Sequence, residues 1–361
     1  MIKVRSLKEK PCDFGYITAQ FCKDFVIIGD KKIQLGQIST EILELSNQKL
    51  EELSDTLSEM KNAFLEKLYG EYKSGLIVYS HNPFNIFLLY LEKAVDKLLE
   101  FPLFNVMPFD KERFLREFRE IYENEPQDEG RDILNGIIGV MLAAHDEMLI
   151  FRIYVTALAD SYLEKAKGRN PQHYAHALYR FLCDEKIQKK LEEMLPKFPV
   201  ITFRAEMPVN IEYVTCPDPY DETNYVIAER IVFSTIGGFL NSDFYKALSA
   251  GFAPRRCHNC GRYFLHLDGY NTCYCNRIAP NDNKGRTCRK IGAHIKEQDL
   301  GNKSPAETEY KRAYGRLKKR RGKSIYYEEW NEQVMYAQNI LASAKSGGIT
   351  DAETVRLLKE I

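Results

Sequence analysis

The sequence predicts a mainly α-helical fold with small β elements, an α+β chain whose helical N-terminal domain is followed by a small cysteine-rich module and further helices. Three observations predict it. Apolar residues recur at steps of three to five through most of the first 250 positions. Five of the nine cysteines crowd between positions 257 and 288. The charge changes sign near position 254, where 30 basic and 39 acidic residues over 1–253 give way to 21 basic and 12 acidic residues over 254–361. That reversal coincides with Gly251-Phe-Ala-Pro254, where a helix should stop before proline. The expected domains are therefore 1–253, acidic and mainly helical, and 254–361, basic.

The first 36 residues read as short strands and turns, with Phe25 to Leu35 forming a hairpin about Gly29-Asp30. From Ser39 the period changes. Ile42, Leu45, Leu50, Leu53, Leu57, Met60, Phe64 and Leu68 mark one long amphipathic helix capped by Ser39 or Thr40. Further helices are expected over 83–100, 110–123, 131–167 with a break, 171–195, and 221–250 with a break near Gly237-Gly238. Between the last two, 200–204 and 211–215 read as strand because apolar and polar residues partly alternate there. Beyond the cysteines, helices are expected over 305–321, 326–346 and 351–361, the last opened by Thr350-Asp-Ala-Glu353 at capping-box spacing.

Composition narrows the function classes. Hydrophobic residues at 44% and charged residues at 28% are globular values, and the best apolar stretch, Ile133 to Ala144, is too short to cross a bilayer. The N-terminal Met1 to Lys8 lacks the apolar core of a signal peptide, so a cytoplasmic location and no membrane partner are expected. In a reducing compartment the scattered Cys12, Cys22, Cys183 and Cys216 read as free thiols.

The crowded cysteines read differently. Cys257-His-Asn-Cys260-Gly fits a knuckle in which two thiolates flank a tight turn and the glycine lets the backbone leave it with positive φ. Tyr263 and Phe264 would open a strand over the site, with 270–274 as the second arm of a hairpin. Five cysteines compete for four positions, so only one of Cys273 and Cys275 is expected to reach the metal, and Cys275 is the choice because Cys288 needs a near neighbour. Cys288 stands where a helix begins, a position that favours a thiolate. Cys257, Cys260, Cys275 and Cys288 are therefore the expected ligands of a structural zinc ion in a zinc-ribbon or treble-clef-like module, with Cys273, His258, His266 and His294 as substitutes. The twelve residues between Cys275 and Cys288 read as a long flexible loop.

Cys257-His-Asn-Cys260-Gly-Arg-Tyr-Phe, Tyr274-Cys275-Asn and Thr287-Cys288-Arg-Lys resemble the C-terminal zinc modules of uncharacterised bacterial families of unknown function, and more loosely the CGNR-type zinc finger. The resemblance covers about 255–346 and implies a DNA-binding or regulatory protein. No Cys-Gly-Asn-Arg tetrapeptide occurs, and Cys288-Arg289 preserves only part of that pattern.

Charge points the same way. Between Arg255 and Lys323 there are 18 basic and six acidic residues, a concentration that attracts a polyanion. Arg286, Arg289, Lys290 and Lys296 near the last cysteine, with Arg316, Lys318, Lys319, Arg320 and Arg321 on the helix that follows, are the expected nucleic-acid contacts, DNA being the favoured partner. The same surface suits an acidic protein partner, or the acidic half of the chain itself. Tyr310, Tyr314 and Leu317 form a stripe read as a packing face rather than a base-stacking platform. No catalytic constellation is expected: phosphate-binding glycine loop, nucleophile elbow and His-Glu-x-x-His are all missing, and His173 and His176, three apart, lack a placed carboxylate.

Overall fold

The computed structural model describes residues 17–69, 71–73, 76–78, 83–124, 127–194, 210–267, 272–280, 282–293, 304–321 and 325–361. The fold is α+β and mainly helical. The chain divides into two compact units, Met1–Cys273 and Tyr274–Ile361. This division lies twenty residues beyond the position at which the charge changes sign, between 253 and 254.

In the first unit, β1 (Ile17–Cys22), β2 (Phe25–Ile28) and β3 (Lys31–Gln34) form a meander whose second turn is Gly29-Asp30, as expected. The long helix expected from Ser39 is instead two, α1 (Gln37–Leu43) and α2 (Asn47–Tyr69). Gly36 is the N-cap of α1, while the Ser39 and Thr40 hydroxyls turn back to the Gly36 carbonyl inside the helix. Ser46 Oγ accepts from Lys49 N at 3.1 Å, a cap that starts α2 afresh. The apolar spacing runs through both helices and hides the break.

A short hairpin, β4 (Glu71–Lys73) and β5 (Leu76–Val78), leads to α3 (Pro83–Leu99), α4 (Pro102–Val106), α5 (Lys111–Asn124) and α6 (Gln127–Leu158), which runs into a π-helical turn at Ala159–Leu163. The helix expected over 171–195 is α7 (Pro171–Leu182) and α8 (Glu185–Met194), separated where Asp184 Oδ1 accepts from Ile187 N at 3.2 Å. The strand expected over 200–204 lies outside the described residues.

The largest correction concerns 221–250. Its first half is a strand, β7 (Asp221–Phe233), paired antiparallel with β6 (Asn210–Asp218) and with β1 in a sheet of order β3-β2-β1-β7-β6. Ile227 and Ile231 have helical spacing, but Val226-Ile227 and Ile231-Val232 are β-branched pairs that lose little in a strand. Asp218 Oδ1 accepts from Tyr220 N and Asp221 Oδ1 from Thr223 N, fixing the turn. Gly237-Gly238 then opens α9 (Ile236–Ala250) rather than interrupting a helix. Phe233, Phe239, Phe244 and Phe151 are buried where the sheet, α9 and α6 meet in one core. Among the described residues no helix is long and apolar enough to cross a membrane.

Gly251, with φ of 92°, ends α9, and the chain enters β8 (Ala253–Arg256), which pairs with β9 (Tyr263–His266). The partner of β9 is the strand before the knuckle; of the hairpin arm expected over 270–274, residues 270–271 lie outside the described residues and 272–274 form no strand. In the second unit a helical turn over 288–293 follows the cysteines. Then come α10 (Pro305–Arg320), α11 (Tyr327–Lys345) and α12 (Asp351–Lys359), each within two residues of expectation. Ser304 and Thr350 cap α10 and α12 by accepting from Glu307 N and Glu353 N. Ala313, Ala337, Ile340 and Leu358 form one small core of these helices, and Leu317, Trp330 and Val334 another. The buried stripe of α10 is Ala306, Glu309, Ala313 and Leu317, while Tyr314 stays partly exposed.

Candidate metal centre

The knuckle is built by backbone hydrogen bonds at the end of β8. Cys257 N donates to Arg262 O at 2.9 Å and Gly261 N to Cys257 O at 2.8 Å, closing the turn that aims both thiols to one side. Gly261 has φ of 71°, a region that a side chain at this turn would strain. His258 N donates to Cys273 O at 2.9 Å, fixing the chain that brings up the second pair.

The described residues of the segment 276–287, all but 281, are tied by hydrogen bonds. Ile278 bridges Thr287, Ala279 N donates to Arg286 O at 2.9 Å, and Asp282 accepts from both the backbone and the guanidinium of Arg286. That ion pair holds the Asp282 carboxyl below its usual range. Cys288 N donates to Arg277 O and Arg289 N to Cys275 O, so the start of the helical turn is tied to the chain around Cys275.

The Sγ atoms of Cys257, Cys260, Cys275 and Cys288 all lie within 4.8 Å of one another. Cys257, Cys275 and Cys288 are buried and Cys260 is half-buried. Four convergent sulfurs with no carboxylate or imidazole among them could hold a metal ion tetrahedrally. Among the described residues neither Cys273, His258 nor His266 joins this group, and His294 lies outside them. The elements run in the order of a knuckle on a hairpin, a tied loop and a helical turn with a cysteine at its start, and could form a small module.

Sequence reasoning missed how the knuckle is anchored. Arg255, although basic, is buried and makes a two-pronged pair with Glu164, Nη2 to Oε1 at 3.1 Å and Nε to Oε2 at 3.2 Å. Arg256 pairs in the same way with Asp160 at 2.8 and 3.0 Å, and Tyr263 Oη donates to the same carboxylate at 2.6 Å. Burial, with Asp160 as a second cause, pushes the Tyr263 hydroxyl well above its ordinary value. Both acids lie in or beside the π-helical turn, roughly 90 residues upstream, and no local signal connects them to the arginines.

The expected nucleic-acid contacts separate into two groups. Lys318, Lys319, Arg289 and Lys290 are exposed. Arg286 is held by Asp282, Arg316 donates to Glu309 and to Leu358 O, and Arg320 donates to Ile361 O. The Arg321 guanidinium lies 4.6 Å from the Trp330 ring centre and 4.9 Å from that of Tyr327. Lys296 lies outside the described residues. His173 and His176 line an open cleft with Lys165, Lys167 and Arg180, with no carboxylate among the lining residues and no place in the candidate metal group.

No curated protein and no solved structure matches the chain. The matched family model begins upstream of the cysteines, so it takes in β6, β7 and α9 as well as the knuckle and the C-terminal helices. Residues 204–358 match the model of a family of unknown function, DUF6076.

Proposed function

We propose that the four thiolates hold zinc in a closed structural site, and that the basic surface after it contacts the phosphates of nucleic acid, DNA first, in a regulatory cytoplasmic protein. The donor set, four convergent sulfurs, is the one that zinc takes in closed structural sites. When bound, zinc would supply folding free energy to the segment that its ligands bracket, on the order of 10 kcal/mol. The residues themselves do the rest: Cys257 and Cys260 fix the knuckle, and Cys275 and Cys288 fix the loop and the helix start.

The nucleic-acid reading is carried by one observation, that Lys318, Lys319, Arg289 and Lys290 are exposed within a segment holding 18 basic and six acidic residues. Such a surface binds phosphates by releasing counterions, without reading sequence. An electrophoretic shift with mixed-sequence duplex DNA, repeated from low to physiological salt, tests it. Binding that weakens steeply with salt is expected, and no binding at the lowest salt would sink the reading.

A second reading has its own support. Tyr326, Tyr327, Met335 and Tyr336 are all more than half exposed on or beside α11, an apolar display that suits an acidic protein partner better than a phosphate backbone. Nuclease-resistant association with one protein in a pull-down would favour a scaffold role, with the metal module purely structural.

A further inference from the structure

A cleft of about 370 Å³ opens beside the knuckle, lined among others by Glu44, Arg152, Thr156, Arg256, Cys260 and Arg262. Its charges are not equivalent. Arg256 is spent on Asp160. Glu44 accepts from Tyr263 N and lies 3.9 Å from the Arg262 guanidinium, which is otherwise exposed. Arg152 differs from both. It rises from α6 into the cleft, is half-buried, and has no carboxylate within 4.0 Å among the described residues. Burial depresses its pKa, which marks a guanidinium that has lost water without gaining an ion partner.

A half-desolvated arginine is costly unless something anionic completes it. With Arg256 neutralised by Asp160 and Arg262 facing Glu44, Arg152 leaves the cleft one positive charge in surplus, with the Thr156 hydroxyl among the lining groups. A planar guanidinium donates two parallel hydrogen bonds and so prefers an oxyanion with two oxygens to offer. The volume leaves room for a phosphate group together with part of a molecule that carries it. We propose that this cleft is a phosphate-binding site, with Arg152 as its principal donor and Arg262 as its second. The phosphate would be either free or part of a nucleic-acid backbone. The site does not depend on the exposed lysines of α10.

The test is thermal unfolding of the full metal-loaded chain in chloride, with inorganic phosphate added at constant ionic strength, and separately with the dinucleotide dTpT. A ligand that binds only the folded state raises Tm in a saturable way. The wild-type chain should show this shift with at least one of the two probes, and which probe acts identifies the source. Arg152→Met should abolish it while melting no lower than wild type in chloride, because an unpaired buried charge has been removed. Arg262→Gln should weaken apparent affinity several-fold, and Lys318→Gln with Lys319→Gln should leave it within twofold. The proposal is overturned if neither probe shifts the wild type, if Arg152→Met responds as the wild type does, or if Arg152→Met melts far lower in chloride, which would make the guanidinium a structural partner. A failure here with DNA still shifted at low salt would leave the nucleic-acid reading standing.

Discussion

Asp243 closes the start of α1 from the far side of the core: its Oδ1 accepts from Gly36 N at 2.8 Å and its Oδ2 from Ser39 N at 3.0 Å. The carboxylate is wholly buried, and Gly36 sits at φ of 84° with Ala247 so close that a Cβ on Gly36 would come within 2.6 Å of the Ala247 Cβ. Asp243→Ala leaves two buried amides without acceptors and should cost about 2–4 kcal/mol. Gly36→Ala should cost a similar amount, from left-handed backbone strain plus a methyl clash, roughly 2–4 kcal/mol. Urea unfolding measures both. A loss under 1 kcal/mol for either would mean that the α1 start relaxes independently of α9.

Glu147 performs a comparable task at α9, where its Oε2 accepts from Gly237 N at 2.8 Å. Burial raises its pKa above the ordinary 4.5, and the backbone hydrogen bonds from Gly237 and Ile236 only partly oppose this. The folded state therefore holds this proton more tightly than the unfolded state. The stabilisation is complete below the unfolded pKa and is lost as pH rises through the folded one. Glu147→Gln keeps an acceptor for Gly237 N without the ionisation. Its stability relative to wild type should improve steadily as pH rises above 4.5 and then level off, as followed by the urea midpoint. A difference that is flat with pH would show that Glu147 ionises as freely folded as unfolded.

How much of this was readable beforehand depends on how local the cause is. Cys257-x-x-Cys260-Gly, Cys275 and Cys288 could be chosen from spacing alone because a knuckle and a helix start are local devices. The choice of Cys275 over Cys273 rested on Cys288 needing a near neighbour, and Cys273 is the one left out of the group. The C-terminal helices carry caps at Ser304 and Thr350 that announce their starts. The strand β7 was hidden because its evidence is its partners, β1 from two hundred residues away and β6 across a turn, while its own apolar spacing also fits a helix. The anchoring of Arg255 and Arg256 was hidden for the same reason: charge counted along the chain assigns them to a partner, and only the fold brings Glu164 and Asp160 to them.

Cys260 is the half-buried member of the four and its thiol can be altered with least damage to packing. Cys260→Ser should release the metal, since a neutral hydroxyl replaces a thiolate in a closed four-sulfur set. The segment after the knuckle should lose structure while α1 to α9 keep theirs. Metal content by atomic emission, with circular dichroism on the same sample, checks both. Stoichiometric retention of metal would remove Cys260 from the ligand set.

Tyr274 packs against Gly292, where an added Cβ would lie 2.4 Å from the ring. Gly292→Ala must push the ring aside, and Tyr274 is covalently next to Cys275. We expect a loss of about 1–3 kcal/mol and weaker metal retention against a chelator. Combining it with Tyr274→Ala should recover part of the loss, because the clashing partner is gone. Strict additivity of the two substitutions would show that the ring does not transmit the strain.

The basic residues of α10 can be separated into those that hold the helices and those that face outward. Glu309 is buried, and burial works against its ionisation, but the hydrogen bonds from Arg316 and Arg312 outweigh that and hold the carboxyl below its usual value. Arg316 also donates to Leu358 O at 2.6 Å, joining α10 to α12. Arg316→Gln should therefore destabilise the helical trio by about 1–3 kcal/mol. If the proposed phosphate contact is correct, Arg316→Gln changes the salt dependence of DNA binding little. Lys318→Gln with Lys319→Gln should do the reverse, leaving Tm within a degree or so while lowering the slope of log K against log salt by about 1.8, the value for two lost phosphate contacts. The two measurements, a melt and a salt titration, then move on different variants. If both variants move the melt and neither moves the slope, the lysines belong to the fold and the polyanion lies elsewhere.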